Sequence, residues 1–168
     1  GLVWGQSEYY LVWKKGKYAI FHKDGRQISP DWFNRIEPYG LIMGQSDYFI
    51  VEKVKGRDKK YAIFDKNGKM ITPEWLDWIS YKDFLKGQTS VYIAKKDDKY
   101  AIFDKEGKVV VDWFGNYRSV GVNDNLYLIE KDGKKAIFDK NGKMVSLEWF
   151  DDILGNGLIS SKSNYYLA

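Results

Sequence analysis

Hydrophobic positions recur along this chain in short blocks, without a helical period. The tripeptide Ala-Ile-Phe occurs four times, beginning at Ala19, Ala62, Ala101 and Ala136. A Trp follows each Ala after 12 or 13 residues, and an aromatic-aliphatic block such as Tyr10-Leu11-Val12 precedes each. A strand reading Tyr-Ala-Ile-Phe is apolar on both faces, so we expect these strands to be covered on both sides by neighbouring repeats.

Each repeat is predicted to be an antiparallel β-meander. Turn sequences such as Asp65-Lys66-Asn67-Gly68 separate the apolar blocks, because Asp and Asn favour turns and Gly supplies a positive φ. The second repeat is expected to open with a short strand at residues 41–43, and acidic-aromatic stretches such as 148–151 form one helical turn at most. Strands that pair with the following Ala-Ile-Phe strand are predicted at residues 9–13, 48–52, 91–95 and 126–130.

The pattern as a whole predicts an all-β fold of tandem antiparallel β-meander repeats, about four units and a half, in one repeat domain. The units are residues 1–39, 40–80, 81–117 and 118–153, with a half-unit at 154–168. The half-unit duplicates the start of the chain, whereas propeller closure usually joins complementary parts of one blade. An open repeat array capped by this half-unit is therefore preferred, and β-propeller-like closure is the alternative.

Composition narrows the function classes. The chain has 27 Lys plus Arg and 23 Asp plus Glu, a net charge of +4 that permits a nucleic-acid partner without demanding one. It contains no Cys, which excludes disulfides and thiolate metal sites. No apolar run approaches the length of a membrane span.

No catalytic constellation accompanies the repeats. His22 is the single histidine and stands at a hairpin shoulder, where the other repeats have Asp, so we interpret it as a turn residue. The Asp-Lys-Asn-Gly tip at Asp65 lacks the third acidic position and the closing Glu of a calcium loop. We therefore expect no enzyme activity, no cofactor and no metal centre.

Aromatic and basic side chains are the remaining candidates for binding. The Trp residues that recur in every repeat, Trp32, Trp75, Trp113 and Trp149, are interpreted as inter-repeat packing. Lys-rich hairpin tips are interpreted as solvated sheet ends. Non-recurring Trp residues and the four-residue insertion in the second repeat supply the candidate partner-binding residues, namely Trp4, Trp13, Trp78, Lys55 and Arg57.

These features predict a non-catalytic binding or scaffold module that contacts another protein or a surface polymer through one face of the repeats. The alternative is a carbohydrate- or nucleic-acid-binding module that uses aromatic platforms and basic hairpin tips. A glycan screen and a salt-dependent nucleic-acid binding assay separate the two classes.

The repeat also resembles a known family. Lys60-Tyr61-Ala62-Ile63-Phe64-Asp65-Lys66-Asn67-Gly68-Lys69 is similar to the bacterial WG (or KWG) repeat, with Tyr in place of its Trp and Ala in place of its Gly. All four units share the resemblance, although the fourth has Lys135 at the aromatic position. The resemblance implies a bacterial β-repeat protein, often of surface or secreted type, and supplies no catalytic residues.

Overall fold

A computed structural model describes residues 7–120 and 126–153, and in these ranges the chain is all-β, as predicted, apart from one helical turn. The strands are β1 (Tyr9–Lys14), β2 (Lys17–His22), β3 (Arg35–Ile36), β4 (Tyr48–Lys55), β5 (Asp58–Asp65), β6 (Trp78–Ser80), β7 (Val91–Lys96), β8 (Lys99–Asp104), β9 (Val109–Phe114), β10 (Asn116–Val120), β11 (Leu126–Lys131) and β12 (Lys134–Asp139). The helical turn is α1 (Lys82–Leu85).

The strands form four antiparallel meanders in chain order. Sheet 1 is β1-β2, sheet 2 is β3-β4-β5, sheet 3 is β6-β7-β8-β9 and sheet 4 is β10-β11-β12. Each Ala-Ile-Phe strand pairs with the strand before it in the same register, which is shown by the pairs Val12↔Ala19, Val51↔Ala62, Ala94↔Ala101 and Ile129↔Ala136. The four predicted hairpin strands are thus confirmed.

The last strand of each sheet is broken where the repeat carries a buried Ser or Thr. Ser29 Oγ accepts a hydrogen bond from the backbone N–H of Ile20 at 3.0 Å, and Ser146 Oγ accepts one from Ile137 at 3.1 Å. In the first and fourth repeats the hydroxyl thus takes the place of a backbone acceptor, while the N–H groups of Ile28 and Val145 still donate to the Ile20 and Ile137 carbonyls. The third repeat has neither this residue nor the Pro that follows it in the first two, and it forms the continuous strand β9.

Consecutive sheets pack face to face. In the second gap, Ile50 and Ile63 of sheet 2 share one buried cluster with Tyr92 and Phe103 of sheet 3. Equivalent clusters join sheets 1 and 2 and sheets 3 and 4, so the predicted cover on both sides of the central strands is confirmed for sheets 2 and 3. Within residues 7–120 and 126–153, no strand of sheet 1 is hydrogen-bonded to a strand of sheet 4.

A repeated ion pair links each sheet to the next. In each of the first three repeats, an acidic residue immediately precedes the recurring Trp. This residue pairs with a Lys near the end of the first hairpin strand of the next sheet. The pairs are Asp31 with Lys53 at 3.7 Å, Glu74 with Lys96, and Asp112 with Lys131 at 3.7 Å. The four central hairpins turn at the same end of the stack, which we call the tip end.

The helical turn α1 lies in the connection from β6 to β7. Two details differ from the sequence-based expectations. Residues 41–43 form a turn instead of the first strand of sheet 2, which is β3; Gly40 and Gly44 adopt positive φ around them, and the Leu41 and Ile42 side chains enter the core. Phe21 is only half-buried, because no sheet precedes its face within the described residues.

Candidate functional site

Chemical differences between the repeats concentrate in one register near the tip end. In each repeat, the strand that precedes the Ala-Ile-Phe strand, the first hairpin strand, contributes one residue to this register. Two residues earlier, the same strand carries a buried Leu or Ile in all four repeats, namely Leu11, Ile50, Ile93 and Leu128. In this register the second hairpin strand has Tyr18, Tyr61, Tyr100 and Lys135, whereas the first hairpin strand and the strand before it contain two Trp, one Arg, one Lys, one Asn and two Glu. We call these residues the variable row: Trp13, Arg35, Glu52, Trp78, Lys95, Asn116 and Glu130.

Two of the predicted partner-binding residues belong to the variable row. The Trp13 side chain is 53% exposed in sheet 1, and that of Trp78 is 40% exposed in sheet 3, with its ring edge-on to Tyr100 at 6.5 Å. The two rings occupy the same register, but sheet 2 lies between them. Trp4 lies outside the described residues.

The other two predicted residues lie at the tip of the second hairpin. Strands β4 and β5 have eight residues each, against six in the central strands of the other sheets, so this hairpin extends roughly 7 Å further. Lys55 and Arg57 are exposed on either side of Gly56, whose positive φ makes the turn. The insertion thus places two cations beyond the variable row.

A cavity of about 210 Å³ lies beside the variable row, between sheets 2 and 3, and we call it the sheet 2–3 cleft. Its lining combines aliphatic, aromatic and charged side chains. The lining residues are Arg35, Glu37, Ile50, Val51, Glu52, Tyr61, Trp78, Ile79 and Tyr81.

Both carboxylates of the cleft are largely withdrawn from water and held by neighbours. The Glu37 side chain is 12% exposed and accepts a hydrogen bond from Arg35 Nε at 2.8 Å. The Glu52 side chain is 9% exposed and accepts one from the Tyr61 hydroxyl at 2.9 Å. Lys59 Nζ lies 3.6 Å from Glu52, at the rim. The cleft therefore presents rigidly held carboxylates next to aromatic rings.

The tyrosines of the cleft remain hydrogen-bond donors at neutral pH. Burial, followed by the hydrogen bond to Glu52, raises the pKa of Tyr61 above its ordinary value. Burial, followed by the charge of Glu37 and a hydrogen bond with it, raises the pKa of Tyr81. In both cases, ionising the phenol would place a second negative charge beside a carboxylate. The protonated hydroxyls thus stabilise the carboxylates as acceptors.

Sequence reasoning missed most of this cleft. Arg35 and Glu37 belong to the first strand of sheet 2 and the residue after it, Glu52 and Tyr61 to its hairpin, and Tyr81 to the next repeat. One signal was available, because the position of Glu52 differs between repeats while its neighbours are similar. Without the register of β3 against β4, however, Arg35 could not be assigned to the same row.

The structure accounts for the recurring residues by packing and turn formation. Each recurring Trp contacts the Phe of its own Ala-Ile-Phe strand, at ring-centroid distances of 5.8–6.4 Å. Asp65 Oδ1 accepts hydrogen bonds from the backbone N–H groups of Asn67 and Lys69, both at 2.9 Å, which closes the turn. His22 lies within 3.4 Å of Glu8 and 2.9 Å of Asp24, at the shoulder of its hairpin.

Most basic residues of the hairpin tips are neutralised locally. Ion pairs engage Lys53, Lys59, Lys60, Lys95, Lys96, Lys131, Lys134 and Lys135. A surface for a phosphate backbone needs cations free to replace counterions. These ion pairs leave fewer cations at the described tips to replace the counterions of a phosphate backbone.

Within residues 7–120 and 126–153, no three His, Cys, Asp or Glu side chains are grouped so that they could hold a metal ion. The one helical turn of these residues, α1, is far too short to cross a bilayer.

Comparison with known proteins identifies no family. No family model and no curated protein matches the sequence, so the resemblance to the WG repeat stays a prediction. Among solved structures, Hsv2 of Kluyveromyces marxianus is 11% identical with a TM-score of 0.38, covering 82% of this chain and 44% of that protein. Hsv2 of Kluyveromyces lactis is 12% identical with a TM-score of 0.38, covering 88% and 46%. This chain spans just under half of each, and a likeness at this level carries no argument about ligand or partner.

Proposed function

We propose that this chain is a non-catalytic binding or scaffold module that engages another protein or a surface polymer through the variable row. The observation that carries the proposal is the contrast inside each repeat. Core positions such as Ile50 and Ala62 keep their chemistry from copy to copy, whereas the row position two residues after Ile50 reads Trp13, Glu52, Lys95 and Glu130 in the four repeats. If packing alone set the row, it would repeat as the core does, because the sheets stack by the same contacts.

Exposed aromatic side chains in the row support a protein partner. Trp and Arg are enriched among the residues that contribute most to the binding free energy of protein interfaces. The row presents Trp13 and Trp78 on rigid strands, and the long hairpin adds Arg57 above them. Because the strands are held in register by the core, these groups lose little conformational freedom on binding.

The proposal is tested with a variant of the row and a matched control. The row variant is Trp13→Ser with Trp78→Ser, and the control is Val145→Ser with Leu147→Ser, two exposed residues outside the row. Wild-type protein is used to select ligands from a displayed peptide library and, in parallel, from a glycan array, and dissociation constants are then measured for all three proteins.

We expect selected peptides to bind the row variant at least about tenfold more weakly than wild type, because truncating one interface Trp commonly costs about 2 kcal/mol or more. The control should bind them as wild type does. Peptides that bind the row variant as tightly as wild type would place the binding surface elsewhere. Glycan ligands without any peptide ligand would assign the chain to the carbohydrate-binding class.

A further inference from the structure

We propose that the sheet 2–3 cleft is the specificity pocket of this module and accepts one arginine side chain of the partner protein. This inference rests on the proposed function, since it names the partner group that one part of the variable row recognises. It follows from the charge, the shape and the repeat context of the cleft.

The charges that line the cleft do not balance. Glu37 and Glu52 are both largely buried, and the single cation among the lining residues, Arg35, is bound to Glu37. The close partner of Glu52 is the neutral hydroxyl of Tyr61. Lys59 forms an ion pair with Glu52 at 3.6 Å from a side chain that is more than half exposed, further than the roughly 2.7–2.9 Å of a charge-assisted hydrogen bond. A cation bound inside the cleft would be a closer partner for this buried carboxylate than the exposed Lys59.

Comparison with the next sheet shows what is missing from the cleft. Lys95 occupies the register of Glu52 in sheet 3, and Tyr100 occupies the register of Tyr61. There, Lys95 Nζ lies over the Tyr100 ring, 5.7 Å from its centroid. In sheet 2 the lysine is replaced by a carboxylate and a cavity remains beside the tyrosine. A cation supplied by a partner would occupy the place that the chain's own lysine fills in sheet 3.

The walls of the cleft suit the rest of an arginine side chain. Ile50 and Ile79 offer apolar surface to the methylene stem, and the rings of Tyr61, Tyr81 and Trp78 offer faces on which a guanidinium stacks. Carboxylates also accept the two parallel hydrogen bonds of a guanidinium. Because about 210 Å³ is less than the roughly 300–1,000 Å³ of sites for drug-sized ligands, the cleft accommodates one side chain.

The corresponding recess of sheet 4 has a different set of charges. It is lined by Arg118 and Lys135 together with Glu130, the residue in the register of Glu52. Lys135 is paired with Asp152, so Arg118 stands beside Glu130 and the recess offers no excess of carboxylate to an arginine side chain. The repeats therefore present differently charged recesses along one row, which gives the module a basis for selecting among partners.

The test uses small probes that do not depend on knowing the partner. The full chain is titrated with Nα-acetyl-L-arginine N-methylamide, with its uncharged isostere Nα-acetyl-L-citrulline N-methylamide, and with methyl β-D-glucopyranoside. Binding is followed by two-dimensional NMR of the backbone amides and of the Trp78 indole N–H. We expect saturable shifts at residues that line the cleft, and at least tenfold weaker binding of the citrulline probe.

Two isosteric variants and one control assign the effect to the cleft. Glu52→Gln keeps an acceptor for Tyr61 but removes the charge, and it should weaken binding of the arginine probe at least tenfold. Glu37→Gln should also weaken it, and serves as the second variant if Glu52→Gln lowers the melting temperature. Glu148→Gln removes an exposed carboxylate outside both the variable row and the cleft, and should bind as wild type does.

Three results would overturn the inference: equal binding of the arginine and citrulline probes, wild-type binding by both cleft variants, or saturation of the cleft by the glucoside alone. Failure here is distinct from failure of the proposed function. If the arginine probe does not bind while the row variant still loses its selected peptides, the module binds proteins without an arginine pocket. If the probe binds and the row variant keeps its peptides, the cleft exists but the row is not the main binding surface.

Discussion

Replacing Ser29 by Ala should destabilise the protein by removing a hydrogen bond that a backbone group cannot replace. The hydroxyl of Ser29 is buried and accepts the N–H of Ile20, itself fully buried, at 3.0 Å. Alanine removes one oxygen atom and leaves that N–H without its partner. An unsatisfied buried donor costs about 1–3 kcal/mol, so the free energy of unfolding should fall by that amount.

The second repeat offers a control with the opposite expectation. Thr72 occupies the same repeat position and is equally buried, but its hydroxyl has no hydrogen-bond partner among residues 7–120 and 126–153. Thr72→Val keeps the shape of the side chain and removes this polar group, so it should leave stability unchanged or raise it by up to about 1–3 kcal/mol.

Both variants are measured by urea unfolding, followed by tryptophan fluorescence and circular dichroism to check that the two transitions coincide. Ser146→Ala provides an independent replicate, because Ser146 Oγ accepts the N–H of Ile137 in the fourth repeat. The reasoning is refuted if Ser29→Ala stays within a few tenths of a kcal/mol of wild type, or if Thr72→Val destabilises as much as Ser29→Ala.

Three further predictions concern the core, a turn and pH. Ile63→Ala removes a fully buried side chain between sheets 2 and 3 and should lower the free energy of unfolding by about 2–5 kcal/mol. Leu147 is exposed, so Leu147→Ala should change it by at most about 0.5 kcal/mol in the same urea assay. Gly107 and Gly133 both have positive φ, so Ala costs about 1–2 kcal/mol at either position. At Gly107 the new Cβ also collides with the backbone carbonyl of Ile71, so Gly107→Ala should show the larger loss of melting temperature. Burial raises the pKa of Tyr117 from 10.0 to about 12, so the folded state holds this proton more tightly than the unfolded state does. The free energy of unfolding, measured at several pH values, should therefore decline as pH rises from 10 towards 12. A flat profile would contradict the burial of this phenol.

The local sequence pattern was sufficient to predict the hairpin strands, because the residues that determine each hairpin are close together in the sequence. The turn sequence after Phe64 closes through the Asp65 carboxylate and the Gly68 turn, both inside one five-residue segment. The pairing of Val51 with Ala62 follows from the hairpin between them, whatever the rest of the chain does. The four-residue insertion also had a local meaning, a longer hairpin, and the structure has one.

Local pattern was misleading where a segment is apolar for a reason other than strand formation. Leu41 and Ile42 are buried because their turn, bounded by Gly40 and Gly44, carries them into the core between sheets 1 and 2. Apolar content alone does not distinguish such a segment from a short buried strand. The actual first strand, Arg35–Ile36, has only two residues and one charged side chain, so it gave no strand signal.

The candidate site divides in the same way. The sequence by itself determined the all-β repeat, its hairpins, and the identity of Trp13, Trp78, Lys55 and Arg57 as residues that packing of the repeat does not require. Only the tertiary structure decided that the variable residues share one register, and that carboxylates from β4 and from the segment after β3 meet aromatic rings of two sheets in a cleft. The physical reason is that hairpin pairing is set by neighbouring residues, whereas a cleft between stacked sheets depends on how side chains far apart in sequence fill, or leave unfilled, the gap between them.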